Sequence, residues 1–235
     1  MSSVILAPSI ETSLWDHFPN AEHPIYGARP LLRGRFHQAA AVASVPVGIH
    51  LVARIAEPEA RLTLAVYAAT ATLMFLVSAG YHRLAQGVLA RFWMRRLDHS
   101  MILVHIAGGT TPIALLGVGG VAGHLLLAAS WSGALVGTGM KMTRLTAEKD
   151  SASWIFPILG LLPLLALPAL SARVGLGGAV LLVAAAATYA MGAICFARKS
   201  PNPIPTIFGY HEVWHVFTLI AGTFQLLLVV KLAGL

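Results

Sequence analysis

Charge is scarce in this chain. Its 235 residues carry 16 Lys and Arg against 9 Asp and Glu. Charged residues are therefore 11% of the chain, where soluble domains have about a quarter. Hydrophobic residues reach 57%, which excludes a disordered chain and an ordinary soluble globule. Cysteine is nearly absent: Cys195 stands alone, so an internal disulfide and a thiolate zinc cage are both excluded. The net charge of +7 comes from basic residues in short segments between apolar runs. No basic stripe with interleaved aromatics exists, so no nucleic-acid partner is expected. Residues 1–35 lack an apolar h-region and open without positive charge, so no secretory signal is expected. The longest absence is the most informative. From His99 to Met140 there is no Asp, Glu, Lys or Arg for 42 residues. A bilayer, which needs about 20 apolar residues per helix, is the environment that such a run fits. The fold class predicted is an all-α integral membrane protein.

Charge-free windows place the spans. They fall at 36–53, 62–82, 99–117, 121–140, 151–172, 174–197 and 209–230. The 42-residue window must hold two helices, because one would be about 60 Å long at 1.5 Å per residue. Gly117-Val118-Gly119-Gly120 supplies the break. Arg173 and the cluster Gly175-Leu176-Gly177-Gly178 divide the fifth span from the sixth. Arg83–Asp98 reads as a basic loop, Lys141–Asp150 as another, and Arg198–Phe208, with Pro201, Pro203 and Pro205, as a non-helical one. Residues 1–35, with Trp15, Asp16, Pro19, Pro24 and Pro30, form an irregular extramembrane arm before a seven-helix domain at 36–235.

Lys and Arg in the flanking segments set the orientation. With the N-terminus cytoplasmic, the inside segments hold 12 of the 16 basic residues and the outside segments 4. The predicted topology is N-terminus in, C-terminus out. Seven-helix receptors coupled to G proteins and microbial rhodopsins have the opposite orientation. A retinal protein also needs a lysine deep in the last helix, where this chain has only Lys231, at the far end.

Ionisable groups are costly inside a bilayer, so their placement carries functional information. The topology sorts them by depth. His82 ends span two, Asp98 precedes span three, and His211 and His215 occupy the first turns of span seven, all near the inner face. His211 and His215 are i,i+4 and project from one helix face, as do Ser78 and His82. Neutral imidazole is a common zinc ligand, and three protein ligands plus water is the open catalytic arrangement. His211-Glu212-Val213-Trp214-His215 also fits H-E-x-x-H, the zinc metalloprotease pattern. No Asp, Glu or His follows His215, so a third ligand must come from another helix, and His82 is the best placed. Glu212 lies one position off the histidine face, either as a catalytic group or simply at the helix entrance. A proton relay through the same groups is the alternative. His105, two turns deeper than Asp98, is read as a support standing behind the site. His50 and His124, near the outer face, are read as packing residues, and His37 and His99 as interfacial ones. Gly108, Gly109, Gly133, Gly137 and Gly139 are assigned to close helix packing. Trp93, Trp131 and Trp154 are read as interface anchors.

Three motifs carry a resemblance. Ser78-Ala79-Gly80-Tyr81-His82 is similar to an S-x-x-Y-H at the end of helix two. Leu97-Asp98-His99-Ser100, running on to Ile106-Ala107-Gly108 and Thr111-Pro112, is similar to a helix-three signature. His211 to His215 is similar to a helix-seven H-x-x-x-H. Together they resemble the hemolysin III family, the bacterial branch of the progestin and adipoQ receptor superfamily, over essentially the whole chain. The resemblance implies a zinc ion held by His82, His211 and His215, with Asp98 beside the zinc-bound water and Ser78 close by. It also implies a multi-pass protein of the bacterial inner (plasma) membrane. The chain departs from the family at three places. The Glu and Asn common at the start of helix one are not evident around Arg35-Phe36-His37-Gln38. Gly109-Thr110 stands where Thr-Tyr is common, and His105 takes a usually aliphatic place.

Similarity to the wider superfamily, which includes alkaline ceramidases, points to a zinc hydrolase of a membrane lipid amide or ester near the inner leaflet. Asp98 would orient or deprotonate the water, and Ser78 would hydrogen-bond the water or a developing oxyanion. The alternative is a structural zinc that ties helices two and seven together in a membrane sensor or lipid-homeostasis regulator. Membrane lysis, which the family name implies, has little support in a sequence without an amphipathic pore-forming segment.

Overall fold

The structure is a computed structural model that describes residues 29–144 and 153–235. Most of the expected N-terminal arm, up to residue 28, and residues 145–152 around the end of the expected Lys141–Asp150 loop lie outside the described residues. The helices are α1 (Arg35–Arg54), α2 (Pro58–Arg83), α3 (Val88–Pro112), α4 (Gly120–Arg144), α5 (Ile155–Leu161), α6 (Leu167–Arg198) and α7 (Tyr210–Leu232). Among the described residues there is no strand, only an isolated antiparallel bridge between Ile204 and Phe208. Among the described residues, six helical segments are long and apolar enough to cross a membrane. One of them, Ile155–Arg198, is 44 residues long and covers the two windows read as spans five and six.

Local chemistry explains where these helices begin and stop. Glu57 caps α2, its carboxylate accepting the N–H groups of Glu59 and Ala60, and Pro58 occupies the first turn. The 42-residue window breaks where expected. A π-helical turn, Ile113–Val118, continues α3, and Gly119 and Gly120 then take φ of 68° and 57°, conformations natural to glycine. Within Ile155–Arg198 a 3₁₀ stretch, Leu162–Ala166, joins α5 to α6, and Gly175 leaves helical geometry at φ 73°, ψ −177°.

One loop assignment is corrected. Arg83–Asp98 is mostly helix: α3 starts at Val88, just after Gly87 at φ 74°. The charge-free window marks only the apolar part of a helix, and α3 runs on past it, carrying Arg91, Arg95 and Arg96. Arg96 donates to the carbonyl of Met142, so this basic stretch packs on the end of α4. Lys141, assigned to a loop, lies within α4, fully buried with Nζ 4.4 Å from the centre of the Phe156 ring. Trp131 is midway along α4 and donates to Thr111 Oγ1 at 3.1 Å, so it is a packing residue rather than an interface anchor. Gly108, Gly109, Gly133 and Gly137 do face other helices at close range, whereas Gly139 faces open space.

Neighbours in sequence pack as neighbours in space: α1 on α2, α2 on α3, α3 on α4, and α6 on α7. α1 also touches α7, which closes the bundle. One core cluster joins Leu64, Ile113, Leu170, Leu182, Leu228 and Val229, and a second joins Leu103, Ala107, Ala134, Ile155 and Leu159. Phe156 lies against His99, Leu170 beside Gly117, and Phe196 against His211. The end of α2, the charged end of α3 and the start of α7 therefore meet at one end of the bundle.

Candidate metal centre

Helix α2 runs to Arg83 and delivers His82 at its last turn, while α7 delivers His211 and His215 in its first two turns. His82 and His215 are buried, and His211 is half-buried. One ligand atom from each of these three lies within 4.8 Å of the others. Nε2 of His82 is 3.1 Å from Nε2 of His211. Two nitrogens sharing a tetrahedral zinc at about 2.05 Å would be about 3.3 Å apart, so the spacing fits a shared ion. Nδ1 of His215 is buried without a hydrogen-bond partner, a cost the protein alone does not offset. The three histidines can hold a metal ion, and the donor set of imidazoles suits a transition metal rather than calcium or magnesium.

Asp98, from α3, is buried, with Oδ2 4.0 Å from Nε2 of His82. That is beyond hydrogen-bond range and leaves the carboxylate at the edge of the triad. Ser78, one turn before His82 and buried, is 2.8 Å from Nδ1 of His37.

His37 is the residue that sequence reading misplaced. It is buried, and its ring stacks on that of His215 at 3.9 Å and 13°. Its Nε2 is 3.0 Å from Thr218 Oγ1, and Thr218 donates its own proton to the carbonyl of His215 at 2.7 Å. His37 thus links Ser78 to Thr218, and the Ser78 hydroxyl also hydrogen-bonds the Asp98 carboxylate, which ties Asp98 to the end of α2. The signal for His37 was available: it lies one residue into the first span, at the same end as His82 and Asp98.

The other expected site residues separate from the triad. The carboxylate of Glu212, fully buried, accepts the N–H of Gly209 at 2.8 Å and the guanidinium of Arg33. It caps the Gly209 N–H at the start of α7 from within the first turn and is committed to the helix entrance. His105 is buried but lies with Tyr67, ring centres 5.9 Å apart, and not against the three ligands.

Residues 29–34 form a strap across this end. Nη1 of Arg29 donates to the carbonyls of Tyr81 and His82 at 3.1 and 2.7 Å, satisfying acceptors that the end of α2 leaves open. Burial, then the nearby Arg91 charge, lowers the Arg29 guanidinium from its ordinary value without discharging it. The N–H groups of Leu31 and Leu32 donate to the carbonyls of Thr206 and Ile207, both at 3.0 Å. Gly34, at φ 77°, packs so tightly that a Cβ there would lie 2.6 Å from Cβ of His82.

Further along the helices lies a groove of about 330 Å³, half open to the outside at the exposed residues Ala43, Val47 and Thr223. Ala40, Ala43, Ser44, Val47, Gly48 and Leu51 give it one face of α1, spaced as a helix repeats. α2 and α7 supply two more walls and Phe75 one end, where its ring sits 5.2 Å from that of His37. Small residues on the facing helices leave the space. From Ala40 to Leu51 it extends about 16 Å along α1.

The chain matches the family model described as "Haemolysin-III related" over residues 26–226. It is 29% identical to Hemolysin-3 of Bacillus cereus over 187 residues, which cover 78% of this chain and 82% of that protein. It is 32% identical to the Hemolysin-3 homolog of Bacillus subtilis (strain 168) over 123 residues, 52% of this chain and 55% of that one. The matched range includes His37, Ser78, His82, Asp98, His211 and His215. With its apolar helices, this multi-pass membrane protein belongs to the haemolysin-III-related family.

Proposed function

We propose that the protein binds Zn²⁺ through His82, His211 and His215 and hydrolyses an amide or ester of a membrane lipid. The site lies near the inner leaflet of the bacterial plasma membrane. The reading includes seven crossings, with the N-terminal arm cytoplasmic and the C-terminus outside. Two features support that count. At 1.5 Å per residue a 44-residue helix would span about 66 Å, twice the hydrocarbon core, and the segment leaves helical geometry at Gly175. Its Phe156 and Phe196 ends both lie beside histidines of the site end.

The observation that carries the enzymatic reading is the position of Asp98. Its carboxylate stands 4.0 Å from the His82 nitrogen, at the edge of the triad and on a third helix. A purely structural ion joining α2 to α7 has no need of it. A zinc ion held by the triad supplies Lewis acidity and a water acidified toward neutrality. Asp98 accepts the proton of the attacking water and returns it to the leaving amine or alkoxide. Ser78, held between His37 and Asp98, positions the Asp98 carboxylate for that proton transfer. His37 holds both Ser78 and the ring of His215 in place. The apolar groove beneath gives the hydrocarbon tail a place to lie, with its head group at the histidines.

The test is Asp98→Asn in purified protein, with zinc content measured beside turnover of a fluorescent ceramide and a fluorescent phospholipid. The expected outcome is zinc retained and turnover lost by at least a hundredfold. Turnover unchanged in Asp98→Asn leaves zinc as a staple between helices, in a sensor or regulator of membrane lipids. The relatives' printed name, hemolysin, brings to this chain only the prospect of membrane lysis, and no feature of the site supports it.

A further inference from the structure

Two side chains beside the triad hold donors that the proposed reaction does not use. Arg33, in the strap, gives only its Nε to Glu212. Among the described residues its Nη1 and Nη2 make no hydrogen bond, and the side chain is 17% exposed. The Arg33 charge acts on His82, His211 and His215 alike, so the free fork stands beside the site. Tyr81, next to His82, is 8% exposed. Among the described residues its hydroxyl makes no hydrogen bond either. Neither the fork nor this hydroxyl is among the fully buried unpartnered atoms, so both keep a surface that an incoming group can reach.

The surroundings are positive. The charges of Arg95, Asp98, Arg29 and Arg33 all reach the Tyr81 phenol, three guanidiniums against one carboxylate. The Arg29 guanidinium carbon lies 5.4 Å from the centre of the Tyr81 ring. Exposed Arg83 borders the same strap, its Cγ 3.2 Å from where a Cβ on Gly34 would lie. A guanidinium has donors and no acceptor, so free donors in a positive field call for an anionic acceptor. We propose that Arg33 and Tyr81 hold the phosphate of a phospholipid head group, so that the lipid taken by this site is a phospholipid rather than a neutral ceramide. The planar fork matches two oxygens of a phosphate, which keeps a third for the phenol; a carboxylate has only the two that face the fork. In a glycerophospholipid the phosphate is joined through glycerol to acyl esters, so a phosphate held at the strap brings an ester toward the triad. This inference rests on the proposed reading that the site meets lipid at head-group depth, and it narrows the substrate.

The experiment compares equilibrium binding of dioctanoyl-phosphatidic acid and dioctanoylglycerol, which differ only in the phosphate, to the full-length zinc-loaded protein in neutral detergent. Release of octanoate is followed in the same samples. Phosphatidic acid is expected to bind at least tenfold tighter, as hydrogen bonds to a charged group imply. Tyr81→Phe removes a hydroxyl without a partner, so it should leave thermal stability, zinc content and dioctanoylglycerol binding unchanged and lose most of the preference. Arg33→Lys keeps a charge against Glu212 but not the fork, and should lose most of it too. Equal binding of the two lipids to the unaltered protein overturns the proposal. So does a preference that survives both variants, since it then reflects loose attraction to the basic end. Inorganic phosphate that displaces the lipid at the lipid's own concentration assigns the pocket to free phosphate and overturns the lipid assignment. A preference lost in the variants, with no octanoate released by any protein, upholds the phosphate pocket and overturns the hydrolase reading alone.

Discussion

Gly34→Ala removes no ligand and no ionisable group, and is expected to weaken metal binding. The added Cβ would lie 2.6 Å from Cβ of His82. Ordinary contact begins at 3.4 Å, so something must yield by at least 0.8 Å, the difference of those distances. The strap cannot retreat easily, because Leu31 and Leu32 are bonded to Thr206 and Ile207, and Arg29 to the carbonyl of His82 itself. His82 therefore moves, against a tolerance of about 0.2 Å in metal–ligand distance. Displaced support of a ligand costs about 10- to 100-fold in affinity. The backbone adds its own penalty, since φ is 77° and an L-residue there costs about 1–2 kcal/mol. Gly87→Ala separates the two effects. Gly87 has φ 74° and ψ 163°, at least as strained for alanine at about 1–3 kcal/mol, but nothing lies within 4 Å of its Cβ. Chelator competition on both purified variants is the assay, with thermal unfolding in the same detergent. Gly34→Ala should lose zinc affinity at least tenfold, and Gly87→Ala should keep it while losing comparable stability. Equal zinc affinity in the two variants would refute the contact between the strap and His82 as a determinant of the site.

Two further outcomes follow from buried contacts. Glu212→Ala strands the Arg33 guanidinium and the Gly209 N–H and should cost about 3–5 kcal/mol in chemical unfolding. Glu212→Gln should cost less, and both should keep zinc; a Gln variant of full stability and zinc content that has lost lipid turnover would make Glu212 catalytic after all. Gly108→Ala drives a Cβ to 2.0 Å from Thr70 Oγ1 and should destabilise the α2–α3 pair by about 1–3 kcal/mol. Thr70→Ala in the same chain should recover most of that loss, and strictly additive effects would contradict the crossing.

The parts of the fold that were legible in sequence are those set by the bilayer. Charge-free windows located α1, α2, α4 and α7 within a few residues, because hydrocarbon tolerates charge poorly. The same rule misjudged α3, since it detects where a helix is in lipid and not where the helix ends. Gly87 ends the turn and α3 begins well before its apolar stretch. The site was legible to the extent that it follows from depth: His82, Asp98, His211 and His215 do gather at one end. His37 lies at the same end and is within reach of that logic, but its place at the start of the first span also fits an interfacial residue. The strap was not legible, because Arg29, Arg33 and Gly34 act through backbone carbonyls, a capping carboxylate and a left-handed φ. None of these leaves a periodic trace. Glu212 shows the opposite failure: the H-E-x-x-H pattern draws attention to a residue whose carboxylate belongs to Arg33 and Gly209.

The site's contributors also explain why an H-E-x-x-H match here is not protease chemistry. In that pattern the glutamate is a general base and must reach the water at the metal. Here it faces the strap, and the carboxylate at the edge of the triad comes from α3 instead. Separating the carboxylate from the ligand helices has a physical consequence. Two of the three histidines ride on α7 and one on α2, so relative movement of those helices changes the ligand set, whereas movement of α3 changes only the distance to Asp98. His37 of α1 is bonded to Ser78 of α2 and Thr218 of α7, bracing the two ligand helices against each other. The same α1 presents its small residues to the groove. An occupant of that groove therefore presses on the helix that braces the proposed metal ligands, which couples filling of the groove to the geometry of the triad through packing alone.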